Sequence, residues 1–318
     1  MAVIEQIQEL LESYHIPQAE PPDSLQRALD VIGRVYDVET VLDSQSRSSI
    51  RAYYHQSLLG YLAVHCRSGA IHMAYDGDDF EAQVRVVAKV LGKSGAETVL
   101  ELGSGLGFNS VRLARACPST NFTGIDLTPG HVRIARLRGS RLRNVTFEEG
   151  DLNQLPYAEK AFDLTFAVEA FCYADPLEAG IREAHRVLRP GGHLVVIDGF
   201  IRQPLPTMSP QESVAVRLCD AGMVVGRTWT FDDLVQTAAR QGFTLLHTED
   251  CTGRVLANLD RLRRHAHAVF DRPGLARALD RLFPRLLIRN GITAIVAPAI
   301  AHRLWRYHTV TLQRRAEE

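Results

Sequence analysis

The chain has 318 residues, with 36 Lys and Arg against 37 Asp and Glu, a formal net charge of −1 and 46% hydrophobic residues. That length supports a sizeable core in one catalytic domain with additions. The balanced charge, with no block of one sign, lacks the basic face that a nucleic-acid partner requires.

Five scattered cysteines (Cys66, Cys117, Cys172, Cys219 and Cys251) include no C-x-x-C pair. Neither a disulfide framework nor a metal site is indicated, and reduced thiols point to the cytoplasm. The opening MAVIEQIQELLESYH carries early glutamates and no basic n-region, so it does not read as a secretory signal. The uncharged stretch 290–301 is shorter than the roughly 20 residues a membrane span needs.

Residues 1–80 read as helical. Ile4, Ile7 and Leu11 share a helix face, and Pro17, Pro21 and Pro22 break the pattern. Ser24 is placed to cap a second helix with Leu25, Leu29, Ile32 and Val35 on its apolar side. SIRAYYHQSLLGYLAVHC follows, rich in aromatics, and then the turn-like SGAIHMAYDG. A helical segment rich in Tyr, His and Met ahead of a cofactor fold is a candidate lid over a mostly apolar pocket. Tyr53, Tyr54, His55, His72 and Tyr75 are its candidate acceptor-facing residues. A helix over about 80–91 carries Val84, Val87, Val90 and Leu91, with Gly92 as its stop.

The chain is organised around TVLELGSGLGFNS, residues 98–110. Val99, Leu100 and Leu102 form an apolar run that reads as a buried parallel strand. Gly103, Ser104, Gly105 and Gly107 then let the backbone turn and a ligand approach. Asn109 or Ser110 is the expected cap of the following helix. Strand, glycine turn and helix make the first unit of a doubly wound α/β sheet, with its ligand at the strand's carboxyl end. The spacing is G-x-G-x-G with Glu101 two residues ahead, not the dinucleotide G-x-G-x-x-G. It resembles the first motif of class I S-adenosylmethionine-dependent methyltransferases.

NFTGID, 121–126, reads as a second strand ending in Asp126, whose carboxylate is suited to accept from both ribose hydroxyls of an adenosine. Leu127 follows it, and Thr128-Pro129 opens a helix. VTFEE, 145–149, is a third strand, followed by Gly150, Asp151 and Leu152. The family resemblance implies that Asp151 faces the adenine amino group and that the next backbone N–H, of Leu152, meets a ring nitrogen. FDLTFAV, 162–168, is a fourth strand running into Glu169, Phe171 and Tyr173. Arg189-Pro190-Gly191-Gly192 turns into a fifth, HLVVID, 193–198, and this stretch is a further family feature. Residues 201–225, with Pro204, Pro206 and Pro210, are a second lid candidate. Thr230 caps a helix ended by Gly242, and FTLLHTED is a sixth strand. Residues 256–305 read as helical and YHTVTLQ, 307–313, as a closing edge strand.

Within class I the chain is similar to the sterol C-methyltransferase and tocopherol methyltransferase group. VEAFCYADP is similar to that group's E-A-T-C-H-A-P, with Phe171 in place of Thr and Tyr173 in place of His. The resemblance implies a Rossmann-like seven-stranded sheet whose last strand is antiparallel. A helical lid (1–80) would precede the cofactor core (81–200), and a second lid, the last strands and a C-terminal helical insertion (201–318) would complete the fold.

The expected reaction is methyl transfer from S-adenosylmethionine to a small, fairly apolar acceptor, an isoprenoid or aromatic natural product, with carbon favoured over nitrogen or oxygen. Glu101, Gly103, Ser104, Gly105, Gly107, Asp126, Leu127, Asp151, Leu152 and Glu169 are expected at the cofactor, with Glu101 acting on the methionine amino group or holding the loop. For the chemistry the candidates are Glu169, Tyr173, His72, Tyr53 and Tyr54. Tyr54, His55, His72, Tyr75, Phe171 and Tyr173 are expected around the acceptor. His titrates near neutral pH and so is a candidate base, while aromatic faces would stabilise a carbocation. The N-terminal amphipathic helix and the apolar 283–301 segment are candidate contacts of a homo-oligomer or walls of a substrate entrance. Two alternatives stand beside this reading: an NAD-dependent oxidoreductase, and a non-catalytic S-adenosylmethionine-binding partner with a closed acceptor pocket.

Overall fold

The computed structural model describes residues 25–45, 49–65, 69–301 and 303–316. The amphipathic pattern over residues 3–11 and the Ser24 cap lie outside them.

Among the described residues, six strands running in one direction and a seventh running against them form a single sheet. The strands are β1 (Thr98–Leu102), β2 (Asn121–Asp126), β3 (Val145–Glu149), β4 (Phe162–Val168), β5 (Leu188–Ile201), β6 (Phe243–Asp250) and β7 (Trp305–Arg314). Their order is β3-β2-β1-β4-β5-β7-β6. β1 lies between β2 and β4, with Leu100 opposite both Thr123 and Thr165. β7 runs antiparallel between β5 and β6, Val196 opposite Val310. This is the expected doubly wound sheet with an antiparallel last strand.

The central strands read as unbroken apolar runs because both faces are covered. Val99 and Phe122 point to one side, where they pack with Val87 and Leu91 of α4 (Ala82–Ser94), Val111 of α5 (Phe108–Ala116) and Val132 of α6 (Pro129–Gly139). Leu100, Leu102 and Ile125 point to the other, against Ile181 of α7 (Leu177–Val187) and Leu234 of α9 (Phe231–Arg240). Each such side chain is nearly fully buried, a contribution of about 1.5–3 kcal/mol.

A third apolar cluster sits apart from the sheet. It joins α1 (Leu25–Gly33) and α2 (Val38–Gln45) to α8 (Pro210–Met223), α10 (Thr252–Phe270), α11 (Pro273–Leu282) and α12 (Arg285–Ala301). Ile32, Val41, Val216, Phe270, Ile292 and Ile300 meet there. The helices read from the two ends of the chain therefore share one core, and α3 (Ile50–His65) packs against α12 beside them.

Four local expectations differ from the structure. The strand at 307–313 is not an edge strand, because β7 is paired on both sides and β6 forms the edge. α4 continues past Gly92 and stops at Gly95, whose φ of 64° and N–H bond to the Leu91 carbonyl close the helix. α5 starts two or three residues earlier than expected, with Gly107 at its N-cap. Asn109 and Ser110 do not cap it, because their side chains are engaged by Glu101. β5 starts at Leu188, so the Pro-Gly-Gly turn is drawn into the strand, with a register shift between Phe162 and Leu164 on its neighbour.

Candidate active site

The carboxyl ends of β1, β2, β4 and β5 open into one cavity of about 490 Å³. Sheet loops form its floor, and α3, α8, α10 and α12 form its walls.

At one end the chain turns through Gly103, Ser104 and Gly105 after β1. Gly103 has φ 70°, and a Cβ there would stand 2.4 Å from the Ala170 Cβ, so the β1 and β4 loops touch through a space only glycine leaves. Beneath the turn, Glu101 is buried with both oxygens taken. Oε1 accepts from Asn109 Nδ2 at 2.9 Å, and Oε2 accepts from the Ser110 hydroxyl at 2.5 Å and its N–H at 3.2 Å. Burial raises the Glu101 carboxyl to about 7. Glu101 faces α5 and does not line the cavity, the geometry of a residue that holds the loop.

Asp126 closes the same end. One oxygen accepts the Gly105 N–H at 2.9 Å, the other accepts the Thr128 N–H at 2.8 Å and lies 3.3 Å from His131 Nδ1. Two bonds leave lone pairs free on a carboxylate that has about four acceptor directions. Leu127, Asp151 and Leu152 line the wall beside it. Ser104 Oγ and Thr128 Oγ1, also on this wall, are buried without a hydrogen-bond partner. Buried polar atoms are rarely left so.

Glu169 stands where β4 ends, held at φ 51°. Such a conformation is unusual for a residue with a Cβ and marks strain that the surroundings must hold. Its Oε1 accepts the Met73 N–H and the Tyr307 hydroxyl, each at 2.8 Å, and burial raises the carboxyl to about 8. Asp198 at the end of β5 accepts the N–H of Cys172 at 3.0 Å and of Gly199 at 2.8 Å. Asp220 of α8 accepts the hydroxyl and N–H of Thr228. Burial raises both aspartates to about 6.

The aromatic segment divides. Tyr54, Tyr61 and Tyr173 line the cavity. Tyr54 donates to the Tyr173 hydroxyl at 3.1 Å, and Tyr173 donates to the Met223 carbonyl at 3.0 Å, tying α3 to α8. Tyr53 is fully buried behind them, its hydroxyl 2.7 Å from that of Tyr61, and does not line the cavity. Tyr75 lies in the core edge-on to Tyr307, Phe171 packs under the sheet beside Leu177, and His55 is exposed on α3. These three do not reach the cavity, so the expectation that they surround the acceptor is corrected. His55 lies on the outer side of α3, while Tyr75, beside a turn, and Phe171, in a single 3-10 turn after β4, are packed into the core. Gly107 also stays outside, where a Cβ would meet Ala135 and Phe147.

His72 does line the cavity, with Nδ1 3.1 Å from the Met73 carbonyl. Burial lowers it to about 4, which leaves it neutral and a weak base near pH 7. The neutral-pH titration expected of it is lost to desolvation.

Two expected results follow. Tyr173→Phe removes the bond to Met223 and strands the Tyr54 hydroxyl, costing about 1–3 kcal/mol of stability in denaturant unfolding; an unchanged midpoint would contradict that tie. The acids Glu101, Glu169, Asp198 and Asp220 hold protons more tightly folded than unfolded. Their contribution is complete below about pH 4 and declines as the pH rises through 6–8. Melting temperature should fall from pH 5 to pH 8, and Glu169→Gln should flatten the upper part of that slope. A wild-type profile rising across this window would contradict the burial of these groups.

The acceptor-side wall was not legible in the sequence. Leu259 and Leu262 of α10 face the cavity from a region that carried only a helical period, whereas Leu287, Ile288 and Ala297 of α12 belong to the apolar 283–301 segment expected as a candidate wall of a substrate entrance. Asp198 had a positional signal, the carboxyl end of a sheet strand, but Asp220 had none.

Residues 100–196 match the family model described as a methyltransferase domain. Over those residues the chain is similar to a methyltransferase domain. Demethylmenaquinone methyltransferase of Tropheryma whipplei is 36% identical over 116 residues, 36% of this chain and 46% of that protein. Erythromycin 3''-O-methyltransferase of Saccharopolyspora erythraea is 32% identical over 137 residues, 40% of this chain and 45% of that protein. The chain thus spans just under half the length of these curated relatives. Among solved structures, the [4+2]-cyclase SpnF superposes with a TM-score of 0.67 at 22% identity, over 84% of this chain and 96% of that one. That likeness is one of fold.

Proposed function

We propose that the protein transfers a methyl group from S-adenosylmethionine to a small, fairly apolar acceptor. One observation carries this reading: the cavity is continuous from the glycine turn to the apolar wall of α10 and α12. A non-catalytic cofactor binder needs only the first half. A cavity of about 490 Å³ with apolar walls is the size of a small-molecule site.

The residues at the loop end fit the cofactor. Asp126 has lone pairs left to accept ribose hydroxyls, and Asp151 and Leu152, on the same wall, would border the adenine. When bound, S-adenosylmethionine supplies an electrophilic methyl group on a sulfonium. The chain's task is mainly positioning, which is worth up to roughly 7–11 kcal/mol of barrier. The α8, α10 and α12 walls exclude water and hold the acceptor. Carbon is the favoured methyl acceptor, because Tyr54, Tyr61, Tyr173 and Trp305 offer ring faces to a cationic intermediate at roughly 0.5–2 kcal/mol each. Glu169 is the group to take the departing proton, since a carboxyl raised to about 8 is matched to proton transfer near neutral pH.

The test is transfer of labelled methyl from S-adenosylmethionine to a panel of apolar acceptors, with Glu169→Gln in parallel. Label in an extractable apolar product, lowered about 10²–10⁴-fold in the variant, supports the assignment. No transfer to any apolar acceptor by a protein that binds the cofactor would sink it.

A further inference from the structure

We infer that the acceptor carries no negative charge and presents a hydroxyl or amine donor to Asp198 and Asp220. This rests on the methyl-transfer reading and names the chemical class of its substrate.

The cavity is one-sided in charge. Asp126, Asp151, Glu169, Asp198 and Asp220 line it, and among the described residues neither Lys nor Arg does. Asp126 and Asp151 belong to the loop end. The other three gather around Cys172, at the end of β4, the end of β5 and the inner face of α8. The nearby groups that the structure places on them are backbone N–H groups and hydroxyls: Met73 and Tyr307 on Glu169, Cys172 and Gly199 on Asp198, Thr228 on Asp220. Each carboxyl therefore keeps acceptor capacity and meets no countercharge. The cavity is a built ligand site on separate grounds: it measures about 490 Å³ and its far wall is apolar, formed by Leu259, Leu262, Leu287, Ile288 and Ala297.

A carboxylate, phosphate or diphosphate entering here would meet like charge in a space walled by apolar side chains, with no Lys or Arg among the described lining residues to offset its lost hydration. An O–H or N–H donor meets the opposite situation. It completes the bonding of acids that are otherwise held partly protonated by burial, and a protonated amine also supplies the missing countercharge. The remainder of the acceptor lies against Leu259, Leu262, Leu287, Ile288 and Ala297.

The experiment compares one alkyl chain with three heads. Binding of 1-octanol, octylamine and octanoate to the purified full chain is measured by calorimetry at pH 7, with and without S-adenosylhomocysteine. The alcohol or the amine should bind at least tenfold tighter than octanoate. A tighter amine assigns a protonated amine head and a tighter alcohol assigns a hydroxyl; either supports the inference. Asp220→Asn, which keeps an acceptor for Thr228, should narrow the gap to under about threefold while far-ultraviolet dichroism stays unchanged. Octanoate binding as tightly as both others, or no dependence on the head, overturns the inference, and the wild-type ranking decides this even if the variant fails to fold. S-adenosylhomocysteine binding is read in the same titrations, so failure of the cofactor reading is seen separately.

Discussion

Asp126→Ala should weaken S-adenosylhomocysteine binding by at least about 100-fold in a calorimetric titration. The wild-type carboxylate does two things at once. It receives the N–H groups of Gly105 and Thr128, which fixes the glycine turn against the start of α6. It also lines the cavity, and on the proposed reading its remaining lone pairs accept two ribose hydroxyls. Hydrogen bonds to a charged group are worth about 1.5–3 kcal/mol each, so losing two to the ligand alone gives roughly 3–6 kcal/mol. The alanine also leaves two N–H groups without their acceptor. Affinity within threefold of wild type would mean that the ribose is held elsewhere.

Gly103→Ala should be nearly as damaging, and for a steric reason. The added Cβ would lie 2.4 Å from the Ala170 Cβ, at a φ of 70° that side-chain-bearing residues rarely adopt. The conformational part costs roughly 1–2 kcal/mol and the overpacking roughly 1–3. A loss of about 2–5 kcal/mol is expected in denaturant unfolding, together with weaker cofactor binding as the β1 and β4 loops are forced apart. Ala170→Gly in the same chain should recover the packing part and leave the conformational part. A single variant as stable as wild type would show that the two loops are not in contact.

Much of the fold was legible because the parallel strands are buried on both faces. Residues 98–102, 121–126 and 162–168 match strands of the sheet at both ends, and so do 145–149 and 243–250, the largely exposed edge strands, which flanking turn residues delimit instead of burial. Continuous apolar runs bounded by glycine, aspartate or proline leave little room for another reading. Helix ends were less legible. Gly92 and Gly95 are both plausible stops, and only the left-handed conformation at Gly95 separates them. Asn109 and Ser110 are good caps by type, but a buried acid eight and nine residues earlier claimed them.

The site divided along the same line. Gly103, Ser104, Gly105, Asp126, Leu127, Asp151 and Leu152 are set by strand ends in one sheet, and the structure brings them to one wall. The acceptor end draws on α3, α8, α10 and α12, and which face of each helix turns inward depends on how they pack on one another. That is why Tyr54 and Tyr173 line the cavity while Tyr53, Tyr75 and Phe171 do not, and why Asp220 gave no sign of itself.

The most direct test is calorimetric titration of the full chain with S-adenosylhomocysteine, with NADH in parallel. Micromolar binding of S-adenosylhomocysteine and none of NADH is the predicted result. Binding of NADH, or of neither compound, would contradict the account.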